Sequence, residues 1–388
     1  MIGSPFPRAP MKITVLYNRD YESDGSQASD PGHEARAEIE GVAQAVESAL
    51  RRIPGVETRL LPCRGTSLRF AEDLRADPPD LVFNLCESLA GDSRGELAVP
   101  AILESLGIPY TGSSSVALAL ALHKQKAKEL LRGVGVPVPD GRVVRRPPDL
   151  DGWDAAFPLM VKPAREDASV GISPASVVHD REALERRVRH VLDTHRQEAI
   201  VERYVEGREL YVALLGNDPP EVLPITEIDF SELPATLPRI VTYDAKWVPG
   251  SVEDRGTRPH LAEITDPEVR ARVEHVARET FRTLELRDYG RVDLRLDADG
   301  TPWVIDVNAN CALAPDAGYA RAAAAIGLPY DAMIARLVEV AIERLHADPS
   351  WKAERPAPAR RPPSQHRELH GGGGELRNRA HRARRGRS

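Results

Sequence analysis

The residues with the clearest chemical potential lie between Tyr289 and Pro315, in YGRVDLRLDADGTPWVIDVNANCALAP. Val292, Leu294 and Leu296 alternate with Arg291, Asp293 and Arg295, and Trp303, Ile305 and Val307 alternate with Val304, Asp306 and Asn308. That period reads as two strands. Asp299-Gly300 sits between them and supplies the positive backbone dihedrals of a two-residue hairpin turn. Such a turn sets Leu296 against Trp303, Leu294 against Ile305 and Val292 against Val307 on an apolar face. On the other face Asp293 lies opposite Asp306 and Arg291 opposite Asn308. Opposed side chains stand roughly 5 Å apart, where like charges are destabilising. One resolution is a divalent cation held by Asp293, Asp306 and Asn308 through hard oxygen ligands. The other is a solvated polar face on which Arg291 and Arg295 neutralise the acids.

A second chemical feature is Lys162, which ends the apolar run FPLMVKP (157–163) and precedes the small-residue loop AREDASVG (164–171). A lysine beside a loop with free backbone N–H groups, here around Ser169 and Gly171, can cradle phosphate. Neither a P-loop nor a dinucleotide fingerprint is present. The cradle and the paired acids together suggest ATP. In HKQKAKELLRG (123–133) the lysines Lys124, Lys126 and Lys128 read, without context, as solvated helix charges.

The elements that must position these groups alternate strand with helix. A buried strand starts at Met11, a polar segment covers 18–32, and a helix runs from about Glu34 to Arg52 with Ile39, Val42, Ala43, Val46 and Leu50 at helical spacing. Strands at 56–61 and 81–85 and a helix to Leu106 complete a parallel α/β unit. One helix is expected over 113–133. Strands follow at 199–204, 221–228 and 240–243, with helices at 181–195, 266–284 and 330–346. The expected organisation is a disordered N-terminus (1–10), an N-terminal α/β substrate domain (11–112) and a central unit (113–216). A C-terminal unit (217–346) and a disordered basic tail (347–388) follow.

The 388 residues, 41% of them hydrophobic, suffice for several cores. A net charge of −7 hides an asymmetry: 11 Lys/Arg stand against 3 Asp/Glu after residue 350, leaving −15 on the first 350. An acidic body argues against nucleic-acid binding by the folded part. Cys63, Cys86 and Cys311 are odd in number and widely spaced, as expected of free thiols in a reducing cytoplasm. There is no signal-peptide core and no apolar run of membrane-spanning length, so no membrane association is expected.

Residues 80–320 resemble the D-alanine–D-alanine ligases of the ATP-grasp superfamily. The resemblance is carried by DLVFN (80–84), LESLGIPYTGSS (103–114), LALHKQKAKELLRGVGVPVP (120–139), FPLMVKPAREDASVGIS (157–173), VERYVEGRELYVALLG (201–216), LPITEIDF (223–230), YDAKW (243–247) and YGRVDLRLDADGTPWVIDVN (289–308). It implies an α+β ATP-grasp fold, in which a parallel α/β domain precedes two subdomains that clamp ATP. Lys124, Lys162 and Lys246 would then contact phosphates, with Ser169 in a lid over them. Glu202, Tyr204 and Val205 would lie at the adenine hinge and Glu209 at the ribose. Asp293, Asp306 and Asn308 would hold Mg²⁺, with Mn²⁺ as the alternative ion, and Arg291 would stabilise a reacting acyl phosphate. The implied chemistry is amide formation: a carboxylate attacks the γ-phosphate, and an amine displaces phosphate from the resulting acyl phosphate. Positioning and charge neutralisation carry such a reaction.

The departures fall on the amino-acid side. Where the similar ligases link a glutamate, a lid serine and a tyrosine over the first substrate, this chain has His33 (with Glu34 beside it), Ala168 and Trp247. Glu87 stands where a histidine is usual. The loop Asn308-Ala-Asn-Cys-Ala-Leu-Ala-Pro, with Asn310 in it, replaces Asn-x-Ser-Pro-Gly, and Asp306 replaces a glutamate. The expected function is therefore an ATP-dependent carboxylate–amine ligase acting on small amino-acid or peptide substrates through His33, Glu34, Glu87, Trp247 and Asn310. A homodimer is expected by analogy with the similar ligases. The competing classes are a non-catalytic ATP-binding regulatory relative and an enzyme that transfers the activated group to another acceptor.

Overall fold

The computed structural model describes residues 10–19, 33–65, 68–154, 156–166 and 168–348, with the backbone alone for 33–38. The segments expected to be disordered lie outside these residues except for Pro10, Ala347, which ends a helix, and Asp348, and most of the polar stretch 18–32 lies outside them too.

The first unit contains β1 (Met11–Asn18), α1 (His33–Leu50), β2 (Val56–Cys63), α2 (Arg69–Ala76), β3 (Leu81–Asn84) and α3 (Ala98–Ser105). Its sheet is parallel in the order β2-β1-β3, as strand–helix alternation predicts. Ile39, Val42, Ala43, Val46 and Leu50 recur at helical spacing and bury the face of α1 against β1. Phe70 and Leu74 of α2 and Val99 and Leu103 of α3 share a second core with Leu16 and Val82.

The next elements are α4 (Ser115–Leu122), α5 (Lys124–Gly133), β4 (Gly141–Val144), β5 (Leu159–Pro163), β6 (Val177–Val178), α6 (Arg181–Thr194) and β7 (Ala199–Arg203). The four strands form an antiparallel sheet in the order β4-β7-β5-β6. The single helix expected over 113–133 is two helices. His123 adopts φ −82 and ψ 71, outside the helical region, and α5 begins afresh at Lys124. The restart turns Lys124 and Lys128 inward with Ala127 and Leu131, all four buried, while the Lys126 side chain stays 68% exposed. Lys124 and Lys128 are therefore not solvated helix charges.

The remaining elements are β8 (Arg208–Leu215), β9 (Glu221–Val222), β10 (Thr226–Asp229), α7 (Tyr243–Trp247), α8 (Val252–Arg255), β11 (Arg258–Leu261), α9 (Pro267–Thr283), β12 (Tyr289–Leu296), β13 (Pro302–Asn308), α10 (Gly318–Ala325) and α11 (Tyr330–Ala347). The sheet order is β11-β10-β8-β12-β13, with β9 on β8. Residues 240–243 form no strand, because Thr242 caps α7 by accepting from the Ala245 N–H at 3.1 Å. The run 221–228 divides into β9 and β10. Strand β8, which an expected boundary at 216 puts in the central unit, pairs along its whole length with β12. Helix α11 returns to share the core of β1 and α1 through Met333, Ile334, Leu337, Val338 and Ala341.

The hairpin departs from its expected register near the turn. Its loop has three residues, not two. The Asp297 N–H donates to Thr301 O at 3.1 Å, and Gly300 alone takes the left-handed conformation, φ +73. The Asp297 carboxylate accepts from the N–H groups of Asp299 and Thr301 and from the Trp303 indole at 2.7 Å. Leu296 therefore faces Pro302 and Leu294 faces Val304. A bulge at Ile305 then adds one residue to β13 and restores the expected pairing, with Asp293 opposite Asp306 and Arg291 opposite Asn308. Val304 and Val307 enter the core, and Ile305 turns to the open side, where it lines a cavity.

Candidate active site

A cavity of about 120 Å³ lies between the two antiparallel sheets. Its lining contains Lys124, Lys162, Ser169, Glu202, Tyr204, Val205, Glu209, Lys246, Arg291, Asp293, Asp306 and Asn308, which gathers every residue the sequence assigned to nucleotide or metal. The volume is below the roughly 300–1,000 Å³ of pockets that enclose small molecules. Side chains fold into it: Lys162 Nζ donates to Ile305 O at 3.1 Å and lies 3.0 Å from Glu202 Oε1.

The two opposed acids are each matched by a cation. Arg291 makes a two-pronged contact with Asp293, at 2.7 and 2.9 Å, and its guanidinium lies 4.6 Å from the Tyr211 ring centroid. Lys124 Nζ sits 2.6 Å from Asp306 Oδ1. Burial raises the Asp306 carboxyl, but the attraction of Lys124 and Lys162 outweighs it and brings the pKa to about 2. Arg295, which the solvated-face alternative assigned to the acids, instead pairs with buried Glu209 at 3.3 Å and donates to Gly207 O. The Glu209 carboxyl is pushed up by burial despite that partner.

Among the described residues no group of three or more His, Cys, Asp or Glu gathers as a metal cluster. What β12 and β13 supply is two carboxylates and an amide. The Asn308 amide nitrogen donates to Asp293 Oδ2 at 3.1 Å, leaving its oxygen as the ligand atom. A sparse, all-oxygen set suits Mg²⁺, which keeps waters and takes its remaining ligands from substrate phosphates. The residues fit the ion.

Glu202, which lines the first cavity beside Tyr204 and Val205, is buried. It is held between Lys162 and Lys128, whose ammonium contacts the other carboxylate oxygen. Burial lowers the Lys128 ammonium most strongly, against the attraction of Glu202, and leaves it at about 8. The sequence reading missed Lys128. The available signal was its i,i+4 spacing from Lys124 on the Ala127–Leu131 face. Tyr211, also missed, lines this cavity and donates its hydroxyl to Glu209 Oε1 at 2.9 Å.

A second cavity of about 460 Å³ adjoins the first and shares Glu166, Ala168, Val170, Tyr211, Lys246, Arg291 and Asn308 with it. Glu87, Trp247 and Asn310, three of the expected substrate residues, line it. The side chains of His33 and Glu34 lie outside the described residues. Asn310 is engaged inside the protein: its amide nitrogen donates to Cys86 O at 3.0 Å and Glu96 Oε1 at 2.8 Å, and its oxygen accepts from the Tyr289 hydroxyl at 2.8 Å. These bonds tie the loop after β13 to the first unit. Trp247 donates its indole N–H to Ala168 O at 3.0 Å, and Ser169 donates to Val241 O at 3.2 Å.

Two antiparallel sheets closing on a lysine- and carboxylate-lined cleft, behind a parallel α/β unit, define an ATP-grasp ligase. The family profile described as "D-ala D-ala ligase C-terminus" matches residues 131–339. The chain is 37% identical over 310 residues to the uncharacterized protein y4sG of Sinorhizobium fredii, covering 78% of this chain and 88% of that one. It is 34% identical over 272 residues to the D-alanine–D-alanine ligase of Chromohalobacter salexigens, covering 69% and 79%. The crystal structure of the Bacillus anthracis D-alanine–D-alanine ligase complexed with ATP superposes with a TM-score of 0.63 at 21% identity, over 86% of this chain and 98% of that one. This chain belongs to the D-alanine–D-alanine ligase family.

Proposed function

We propose that the first cavity holds ATP and the second holds two amino-acid or small-peptide substrates, which the protein joins through an acyl phosphate. The observation that carries this is the shared wall. Arg291 and Lys246 line both cavities, so the end of a triphosphate and the carboxylate of a donor meet at groups able to neutralise them, with the Asn308 amide beside them.

In this reading Lys124 exchanges Asp306 for phosphate oxygens, and Lys162, kept within reach by Glu202 and Lys128, adds a phosphate contact to its bond with Glu202. Arg291, fixed by Asp293 and Tyr211, points its charge at the donor carboxylate as that carboxylate becomes an acyl phosphate. Asp293, Asp306 and Asn308 would hold Mg²⁺, which supplies charge neutralisation between phosphates. Tyr204, Val205 and Glu209 line the first cavity and not the second, and base and sugar would lie against them. Asn310, through Cys86 and Glu96, sets the position of the loop that closes the second cavity. D-Alanine is the substrate named for relatives, and the altered lining, with Glu87, Ala168 and Trp247, leaves the donor and acceptor to a wider set of amino acids and dipeptides. A cytoplasmic setting and a homodimer complete this reading. Light scattering after size exclusion checks the latter.

The test is ADP and phosphate release with ATP and Mg²⁺ across pairs of D- and L-amino acids, dipeptides and hydroxy acids, with products identified by mass. Release should require both a carboxylate donor and an amine. Background release across the panel rules the ligase out and leaves a non-catalytic nucleotide-binding relative.

A further inference from the structure

Lys162 on β5 lies opposite Ile200 on β7, so Glu202, two residues along β7, is its diagonal neighbour on the same face of the sheet. Their contact at 3.0 Å matches one cation with one carboxylate. Helix α5 brings a second cation to the same carboxylate. Its restart after His123 turns Lys124 and Lys128 to one side, a single turn apart. Lys124 reaches the first cavity and meets Asp306 at 2.6 Å. Lys128 is buried and does not line that cavity; its ammonium contacts the Glu202 oxygen that Lys162 leaves open. Three of the cations facing the cavity are thus matched one for one: Lys124 by Asp306, Arg291 by Asp293 and Lys162 by Glu202. Each is a neutral pair. Lys128 breaks the balance, because two ammoniums and one carboxylate leave the Glu202 group at +1. Burial lowers the Lys128 ammonium only to about 8, so it is mostly protonated at pH 7.

Resting on the nucleotide reading of the first cavity, we propose that Lys128 is a positioning residue that acts on the triphosphate through Glu202. It takes one oxygen of that carboxylate and leaves Lys162 with charge to offer to phosphate. The group is shut off from water, so salt and solvent screen its charge weakly. Lys128 thereby sets the affinity for phosphates without touching one. Base and sugar carry no charge and should not sense it. A unit charge two ion-pair contacts away, at an effective dielectric of about 20, changes phosphate affinity roughly 10-fold or more.

The experiment compares wild type, Lys128→Met and Lys128→Met/Glu202→Gln. Calorimetry at pH 7 with Mg²⁺ gives the Kd of each for a non-hydrolysable ATP analogue, for inorganic tripolyphosphate and for adenosine. Methionine keeps an unbranched stem and removes the charge, and Glu202 retains Lys162 as its partner. Lys128→Met should weaken the analogue and tripolyphosphate roughly 10-fold while adenosine stays within about 2-fold of wild type. The double variant loses a carboxylate along with the ammonium and returns the group to +1. It should bring both phosphate ligands back to within about 3-fold of wild type, a rescue that loss of packing does not predict. Three results overturn the proposal: Lys128→Met binding phosphates like wild type, a double variant no tighter than the single one, or adenosine weakened as much as the analogue. Wild type that binds neither the analogue nor tripolyphosphate removes the nucleotide reading, and the proposal falls with it. Should Lys128→Met fail to fold, the double variant suffices: tripolyphosphate bound more than about 3-fold weaker than by wild type refutes the role of charge.

Discussion

Asp288 offers the sharpest test of how the three units are joined. Its side chain is fully buried, and its carboxylate accepts three hydrogen bonds from two other parts of the chain: Arg344 Nε at 2.8 Å, Arg344 Nη2 at 2.9 Å and the Gly112 N–H at 2.9 Å. Arg344, on α11, also donates to Tyr110 O, so one ion pair binds the C-terminal helix, the link after the first unit and the start of β12. Asp288→Asn keeps the size and removes the charge. Leaving a buried partner uncompensated costs about 3–5 kcal/mol, and the lower end, about 3, applies here because Arg344 keeps 18% exposure. Asp288 also sits at φ +65, which Asn and Asp tolerate better than Ala. Asp288→Ala should therefore cost about 1 kcal/mol more than Asp288→Asn. Urea unfolding at pH 7 measures both, and a cycle with Arg344→Met should show coupling of at least about 1.5 kcal/mol. If Asp288→Asn lies within about 1 kcal/mol of wild type, or Ala is no worse than Asn, the node is not the joint described here.

Other outcomes follow from the site and the hairpin. Asp306→Ala should lower Mg²⁺-dependent turnover at least ~100-fold, measured below the variant's own melting point because buried Lys124 loses its partner, since charge stabilisation at the reacting phosphate carries the rate. Unchanged turnover removes the metal role. Asn310→Ala breaks the tie to Cys86, Glu96 and Tyr289. It should raise amino-acid KM more than ATP KM in steady-state assays. Asp297→Asn weakens the carboxylate's three bonds in the hairpin loop and should cost about 1–2 kcal/mol near neutral pH. Burial raises the Asp297 carboxyl, but the bonds from Trp303, Thr301 and Asp299 lower it overall from 3.8. Its folded pKa thus lies below the unfolded one, so its stabilisation is present above about pH 4 and fades as pH falls further. The gap between wild type and Asp297→Asn should close on that acid limb, as urea midpoints against pH will register.

Local patterns in the sequence disclosed those parts of the site that depend on local structure. Alternation along β12 and β13 placed Asp293 opposite Asp306 because side chains on a strand alternate faces, and that pairing stands in the structure. The route to it was not legible: a three-residue loop shifts the register by one, and a bulge at Ile305 shifts it back. Two compensating insertions leave no trace in a hydrophobic period. Lys128 escaped notice because its burial follows from a helix break at His123 and from Glu202, 74 residues away. Strand β8 looked like part of the preceding unit because antiparallel pairing with β12 is decided by packing, not by proximity in the chain. Trp247 was singled out as a departure in type. Its contact with the Ala168 carbonyl, across 79 residues, emerges only from the fold.

The central claim is that a donor carboxylate is activated by phosphoryl transfer at the wall shared by the two cavities. It is tested most directly with a donor amino acid whose carboxylate carries ¹⁸O, turned over with unlabelled ATP, Mg²⁺ and an acceptor. The carboxylate oxygen that attacks the γ-phosphate leaves with it when the amine closes on the carbonyl. Each phosphate released should therefore carry one ¹⁸O from the donor. Turnover that releases unlabelled phosphate contradicts the account.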